Sequence, residues 1–220
     1  DIYIKKHMDG VIFAGEVDIR VIEEFRKQSI PVVLVNNYLD MDGLVCISAD
    51  HYGGAVQATE YLCKLGHCKI GLLSGRFSPQ VSEARIEGFV KTLAKYDIPV
   101  DDRFIADIEP ALEDGEEIMT RMLRGVDRPT AFFCTNDTIA AGAMKAVTRA
   151  GLRVPEDIAI IGFDDSYISR VVEPELTTVR IDAAKMGCLA MQTLFDLIAG
   201  MPVEKAHIQI PTELIVRGTA

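Results

Sequence analysis

The chain has 220 residues, a formal net charge of −10 and 49% hydrophobic residues. That length suits one large domain or two small ones with a full buried core, and no apolar run reaches the roughly 18 residues of a membrane span. The acidic balance argues against this piece holding a nucleic-acid backbone by itself, because such surfaces cluster Lys and Arg; its plain consequence is solubility.

In chain order, "DIYIKKHMDGVIF" opens with Ile2, Ile4 and Met8 spaced as the tail of a helix running into a strand. There is no initiating Met and no signal pattern, so the sequence reads as a fragment whose preceding part would also carry any targeting segment. Short apolar runs follow at 10–14, 31–35, 69–73, 103–107, 130–134 and 158–162. They alternate with amphipathic segments at about 18–28, 52–65, 81–96, 113–124, 137–150 and 183–199. Strand–helix alternation predicts a parallel sheet flanked by helices, and the near-continuous β-branched runs fit strands buried on both faces. Gly66 and Gly151 stand where helices would end and read as C-caps. No internal repeat or Gly/Ser tract separates two halves.

The five cysteines, at 46, 63, 68, 134 and 188, are odd in number and lie inside apolar segments without a CxxC pair. They are expected to be buried reduced thiols of a reducing compartment, which points to the cytoplasm, with no metal or other cofactor. His67 belongs to a helix-ending turn and reads as structural.

In open α/β sheets ligands bind outside the carboxyl ends of the strands. The residues following the apolar runs are Gly15 and Glu16; Asn36 and Asn37; Ser74, Gly75, Arg76, Phe77 and Ser78; Thr135, Asn136 and Asp137; and Asp164 and Asp165. Together these small, amide and acidic groups suit a neutral polyhydroxyl ligand, with carboxylates accepting hydrogen bonds and amides both donating and accepting. Singly, each has a plainer use. Asn136 or Asp137 could cap the next helix, and so could Asp165 or Ser166. Asn36-Asn37 could form a turn, and Arg85 could be a solvated helix residue. Enzyme patterns are missing: there is no G-x-G-x-x-G after a strand, no P-loop and no G-x-S-x-G elbow. Adjacent carboxylates such as Asp164 and Asp165 are poorly placed for paired acid/base work, since glycosidase carboxyls stand roughly 5–9.5 Å apart across a bond.

Five stretches, "LGHCKIGLLSG", "EARIEGF", "PTAFFCTNDTIAAGAMKAV", "GLRVPEDIAIIGFDDS" and "PELTTVRID", occur in order along nearly the whole chain. They resemble the lactose-repressor/galactose-repressor family of bacterial transcription regulators. The resemblance implies an α/β fold of two doubly wound parallel-sheet subdomains of periplasmic-binding-protein type, with the N-terminal subdomain incomplete here. One subdomain would take 1–49 and 183–210, the other 50–180 and 211–220. An effector would sit between them, and a helix-turn-helix head and hinge would precede this chain and bind operator DNA. The family's motif arginine falls on Arg85, followed by Gly88 and Phe89; its strand-end amide falls on Asn136 and its strand-end acid on Asp164, with Asp165 as the structural neighbour. Asn36 falls at a polar contact position, Phe77 in a loop that supplies a wall, and Gly15 at the first strand end. A homodimer is also implied, with Ile168, Val171 and Val172 as an apolar cluster that is either core or interface.

Three departures leave the effector's identity open, though not its class. Ile181 stands where Gln is common before the acid Asp182, Glu16 stands where small neutral residues are common, and the chain has no Trp, so a ring stacked on a sugar must be Phe or Tyr. The expected function is the effector-binding and dimerisation core of a repressor-type regulator sensing a small sugar-like molecule, without catalysis or membrane attachment. An exported sugar-binding protein of the same fold is the alternative, and an α/β enzyme on a small polar substrate is a second. A helix-turn-helix or a signal peptide upstream would separate the first pair; turnover of a bound sugar would support the last.

Overall fold

The computed structural model of the chain describes residues 8–39, 41–125, 127–203 and 205–220. The helix tail expected at the start lies outside them at Ile2 and Ile4, while Met8 is in no helix and packs against the buried cluster of Ile22, Phe25, Val32 and Leu34. The chain forms two compact units: Asp1–Asp50 with Asp182–Pro211, and His51–Ile181 with Thr212–Ala220.

The first unit holds a parallel sheet of four strands, β1 (Val11–Ala14), β2 (Val32–Val35), β3 (Val45–Ala49) and β9 (His207–Ile210), in the order β1-β2-β3-β9. Helix α1 (Ile19–Lys27) starts at Asp18, whose carboxylate accepts from the Arg20 amide at 2.9 Å, and it buries Ile22 and Phe25. Helix α6 (Ala183–Ile198) starts the same way, with Asp182 accepting from the Lys185 amide at 2.8 Å, and packs Met186, Ala190 and Leu194 inward. In both, the carboxylate satisfies an amide that the helix itself leaves without a partner.

The second unit holds six strands in the order β10-β8-β7-β6-β4-β5. These are β4 (Ile70–Gly75), β5 (Ile105–Ile108), β6 (Ala131–Cys134), β7 (Ala159–Asp164), β8 (Thr177–Arg180) and β10 (Glu213–Ile215). All pair in parallel except β10, which runs antiparallel to β8. Helices α2 (His51–Lys64) and α3 (Pro79–Lys95) pack on one face, and α4 (Leu112–Leu123) and α5 (Asp137–Arg149) on the other. The run "AFFC" shows why both faces need covering: Phe132 enters the α4/α5 cluster and its neighbour Phe133 the α2/α3 cluster, each fully buried. Gly88 of the "RIEGF" stretch has a packing reason: a β-carbon there would come 2.7 Å from the Tyr52 carbonyl and 2.8 Å from Ala55 Cβ, so its absence lets α2 and α3 approach.

Several expectations need correction. The strand expected at 103–107 is displaced, because Asp101 caps a 3-10 turn over Asp102–Phe104 and β5 begins only at Ile105. Four strands carry no continuous apolar run long enough to announce them. β3 is a five-residue run containing a serine. β8 reads polar because Thr177 and Thr178 are fully buried with hydroxyls bonded inside the protein. β9 and β10 are short edge strands with mostly exposed or half-buried residues. Of the cysteines, Cys46, Cys63 and Cys134 are buried as expected, but Cys68 and Cys188 are exposed.

Candidate functional site

Because β4, β6, β7 and β8 are parallel, their carboxyl ends share one edge of the second sheet. Onto that edge the fold brings Ser74 to Phe77, Thr135 to Asp137, and Asp164 with Asp165. Asp164 ends β7 at φ +106, and Asp165 follows at φ +51. Left-handed backbone at two successive residues with side chains costs about 1–3 kcal/mol each and persists only where the surroundings hold it.

Asp165 provides the hold. Its side chain is 2% exposed and receives Arg217 at 2.5 Å, Arg180 at 2.8 Å and the Ser169 hydroxyl at 3.1 Å, with Arg170 at 3.5 Å. Burial alone would raise its pKa, but the hydrogen bonds from Arg217 and Arg180 hold it below the ordinary aspartate value. Beneath lies Asp137, 1% exposed, accepting from the Ser166 amide at 2.6 Å and the Thr178 hydroxyl at 2.5 Å. Burial keeps its pKa raised against those bonds. Gly162 of β7 makes room for it, since a β-carbon there would collide with the Asp137 carboxylate.

Asp164 differs. Its carboxyl is one third exposed, and Oδ1 accepts from Arg85 Nη2 at 3.2 Å. Burial pushes its pKa up to about 6; the Arg85 charge pulls it down and the Asp137 charge adds to the rise. Arg85 is not the solvated helix residue that its position in α3 allowed: it is 3% exposed. Its Nη1 donates to the Thr135 carbonyl, and Nε and Nη2 point at His51 Nδ1 at 3.4 and 3.2 Å. The guanidinium carbon lies over the rings of Phe163 and Phe77, 3.9 Å and 5.0 Å from their centroids.

The remaining expected positions fall as follows. Asn136 is the N-cap of α5, its side-chain oxygen accepting from the Ile139 amide at 2.8 Å. Phe77 is half-buried. In the first unit, Gly15 (φ +84) and Asn36 (φ +50) stand at the carboxyl ends of β1 and β2. The Asn36 side chain accepts from the Ala49 amide at 3.3 Å, while Asn37 makes the turn, donating to the Gly15 carbonyl at 2.9 Å and accepting from Leu39 at 3.0 Å. Arg76 pairs with Asp107 and Glu109 at 3.0 and 3.1 Å. His67 is structural as read, its Nδ1 2.8 Å from the Thr130 hydroxyl. One participant escaped the sequence reading: His51, hidden because a helix-opening histidine carries no signal of its own; Ser74, expected at its strand end, is 1% exposed. Among the described residues no cluster of His, Cys, Asp or Glu could hold a metal ion.

Residues 59–220 match the model of the periplasmic binding protein-like domain. The chain is 30% identical to a regulatory protein of the LacI family from Chloroflexus aggregans, superposing with a TM-score of 0.90 over 99% of this chain and 79% of that one. This chain belongs to the LacI family. A LacI-family regulator from Enterococcus faecium solved with bound ribose is 26% identical, with a TM-score of 0.89 over 99% of this chain and 82% of that one. The probable HTH-type transcriptional repressor ExuR of Bacillus subtilis is 35% identical over 211 residues, 95% of this chain. This LacI-family chain spans 63% of that repressor's length, less than two thirds of it. No described helix is long and apolar enough to cross a membrane.

Proposed function

We propose that the chain is the effector-binding core of a transcriptional repressor, and that its effector is a neutral, hydroxyl-rich small molecule, a sugar or sugar derivative. The observation that carries this is Asp164: a partly exposed carboxylate held on left-handed backbone at a strand end, with the buried Arg85 paired to one of its oxygens. Above about pH 6 it is an anion that accepts hydrogen bonds from hydroxyls. Arg85 serves the effector through Asp164 and Thr135. Asn136, with its oxygen committed to the helix cap, contributes its amide N–H groups, and Phe77 supplies an apolar wall. Gly15 and Asn36 are proposed contacts on the strength of their own positions at strand ends. The charges of Arg76 and Arg85 already face carboxylates, which favours a neutral ligand over a phosphorylated one.

Regulation follows if effector affinity differs between two conformations that also differ in DNA affinity. Operator binding belongs to a helix-turn-helix head outside these residues, and the compartment is the cytoplasm. The repressor relatives favour this reading over an exported solute-binding protein and over an enzyme. A homodimer is part of the proposal: Tyr167 and Val171 are 84% and 58% exposed just after the acidic pair, whereas Val172 packs against the core. The test is thermal unfolding with neutral sugars, nucleosides, uronates and sugar phosphates. A melting point raised by a neutral member supports the proposal; stabilisation by sugar phosphates alone contradicts it.

A further inference from the structure

Arg85 is the only cation whose ion pair with Asp164 is found among the described residues, so whatever fixes its guanidinium fixes the charge behind the proposed ligand-accepting carboxylate. Phe163 and Phe77 hold their ring centroids 3.9 and 5.0 Å from the central carbon of the guanidinium, contacts that prescribe no hydrogen-bonding direction. Among the described residues the Thr135 carbonyl, Asp164 Oδ1 and His51 Nδ1 are acceptors that orient it. His51 opens α2, is 3% exposed, and lies tilted on the Phe163 ring at 6.0 Å between centroids. A guanidinium only donates hydrogen bonds. The nitrogen it points at must therefore present a lone pair, which places the ring proton on Nε2 and keeps the imidazole neutral.

We infer that His51 is a positioning residue for effector binding: its unprotonated Nδ1 anchors Nε and Nη2 of Arg85 so that the guanidinium stays turned toward Asp164. This rests on reading Asp164 as the ligand-facing acid. The charged groups facing Asp164 are Arg85 from α3 and Asp137 from α5; Arg180, its register partner on β8, gives its side chain to Asp165. Releasing Arg85 would leave Asp164 with the Asp137 charge and less cationic compensation. The buried environment agrees, since burial and the Arg85 charge lower the His51 pKa to about 3.

The experiment is nitrogen and carbon NMR on the 220-residue chain without ligand. The His51 ring is expected to remain neutral from pH 8 to pH 5 with Nδ1 unprotonated; a proton on Nδ1, or a cationic ring at pH 5, overturns the inference without any variant. His51→Phe keeps an aromatic ring but removes the acceptor, whereas His51→Asn loses volume but offers a carbonyl oxygen. The Asp164 carboxyl titration is expected to move up by about one pH unit in His51→Phe and to stay near the wild-type midpoint in His51→Asn, with Arg85 Nε–H exchange accelerated only in the former. A residue that merely fills space gives the opposite ranking, Phe tolerated and Asn disruptive, and that result overturns the inference. Failure of the site reading is separable: undiminished ligand affinity in Asp164→Asn sinks that reading while leaving the His51–Arg85 geometry untouched.

Discussion

Asp164 and Asp165 are adjacent in sequence, share left-handed backbone, and occupy opposite electrostatic surroundings. Asp165 is closed off behind three arginines and a serine hydroxyl, and its pKa is depressed. Asp164 has one arginine, a buried like charge nearby and an opening to solvent, and its pKa is raised. The difference teaches how a fold makes a receptive group. The anchor is saturated with partners and carries the strain of the turn, so its neighbour can keep an unsatisfied oxygen at the surface. A carboxylate with every lone pair engaged has little to offer a ligand; one that is partly desolvated and underpaired gains most when hydroxyls arrive.

The largest expected effect breaks the anchor. Asp165→Ala removes the counter-charge of Arg217, which is 11% exposed, and the acceptor of Arg180. Loss of one partner from a buried network costs about 3 kcal/mol, so urea unfolding should show a lowered midpoint and the β7 end should lose its geometry. Stability unchanged within a few tenths of a kcal/mol would mean that the arginines are not held by this acid.

The pH dependence of stability sharpens the contrast. The Asp164 pKa is raised in the folded state, from 3.8 to about 6. The folded protein therefore binds the proton more tightly, and this group's contribution is fully present below about pH 4 and declines as pH rises through 6. Asp164→Asn does not titrate, so the wild type should lose stability relative to it over that window. The full shift corresponds to about 3 kcal/mol; solvent screening of a one-third exposed carboxyl reduces this to about 2. Asp165 runs the other way: its depressed pKa contributes above the unfolded value, and the contribution fades as pH falls through the folded one. Chemical denaturation of both variants from pH 3 to pH 8 measures the two slopes, and parallel slopes would erase the comparison.

Asn136→Ala tests a dual-purpose residue. Losing the cap of α5 should cost about 1 kcal/mol, read as a lower melting temperature, with a smaller fall in ligand affinity than at Asp164. A melting temperature equal to the wild type would show that the Asn136 cap contributes little.

Much of this fold was legible because β4, β6 and β7, the central strands of the second unit, are apolar runs such as "AFFC" or "AIIG". The edge strands and β8 were not legible, since a threonine whose hydroxyl is satisfied internally looks like a surface residue in sequence. The site was half legible. A strand ending on two acids announces itself, and the family motifs point to Arg85. That Arg85 is buried against two phenylalanine rings, and that His51 lies at its side, depends on α2 and α3 closing over Gly88, a tertiary contact with no local signature.

Calorimetric titration of the wild type and Asp164→Asn with the neutral sugar or nucleoside that most raises the wild-type melting temperature is the most direct measurement of the central claim. The expected result is at least a tenfold loss of affinity in Asp164→Asn at pH 7.5, about 1.4 kcal/mol, with a melting temperature no lower than that of the wild type. Equal affinity in the two proteins would contradict the claim that this carboxylate receives the effector.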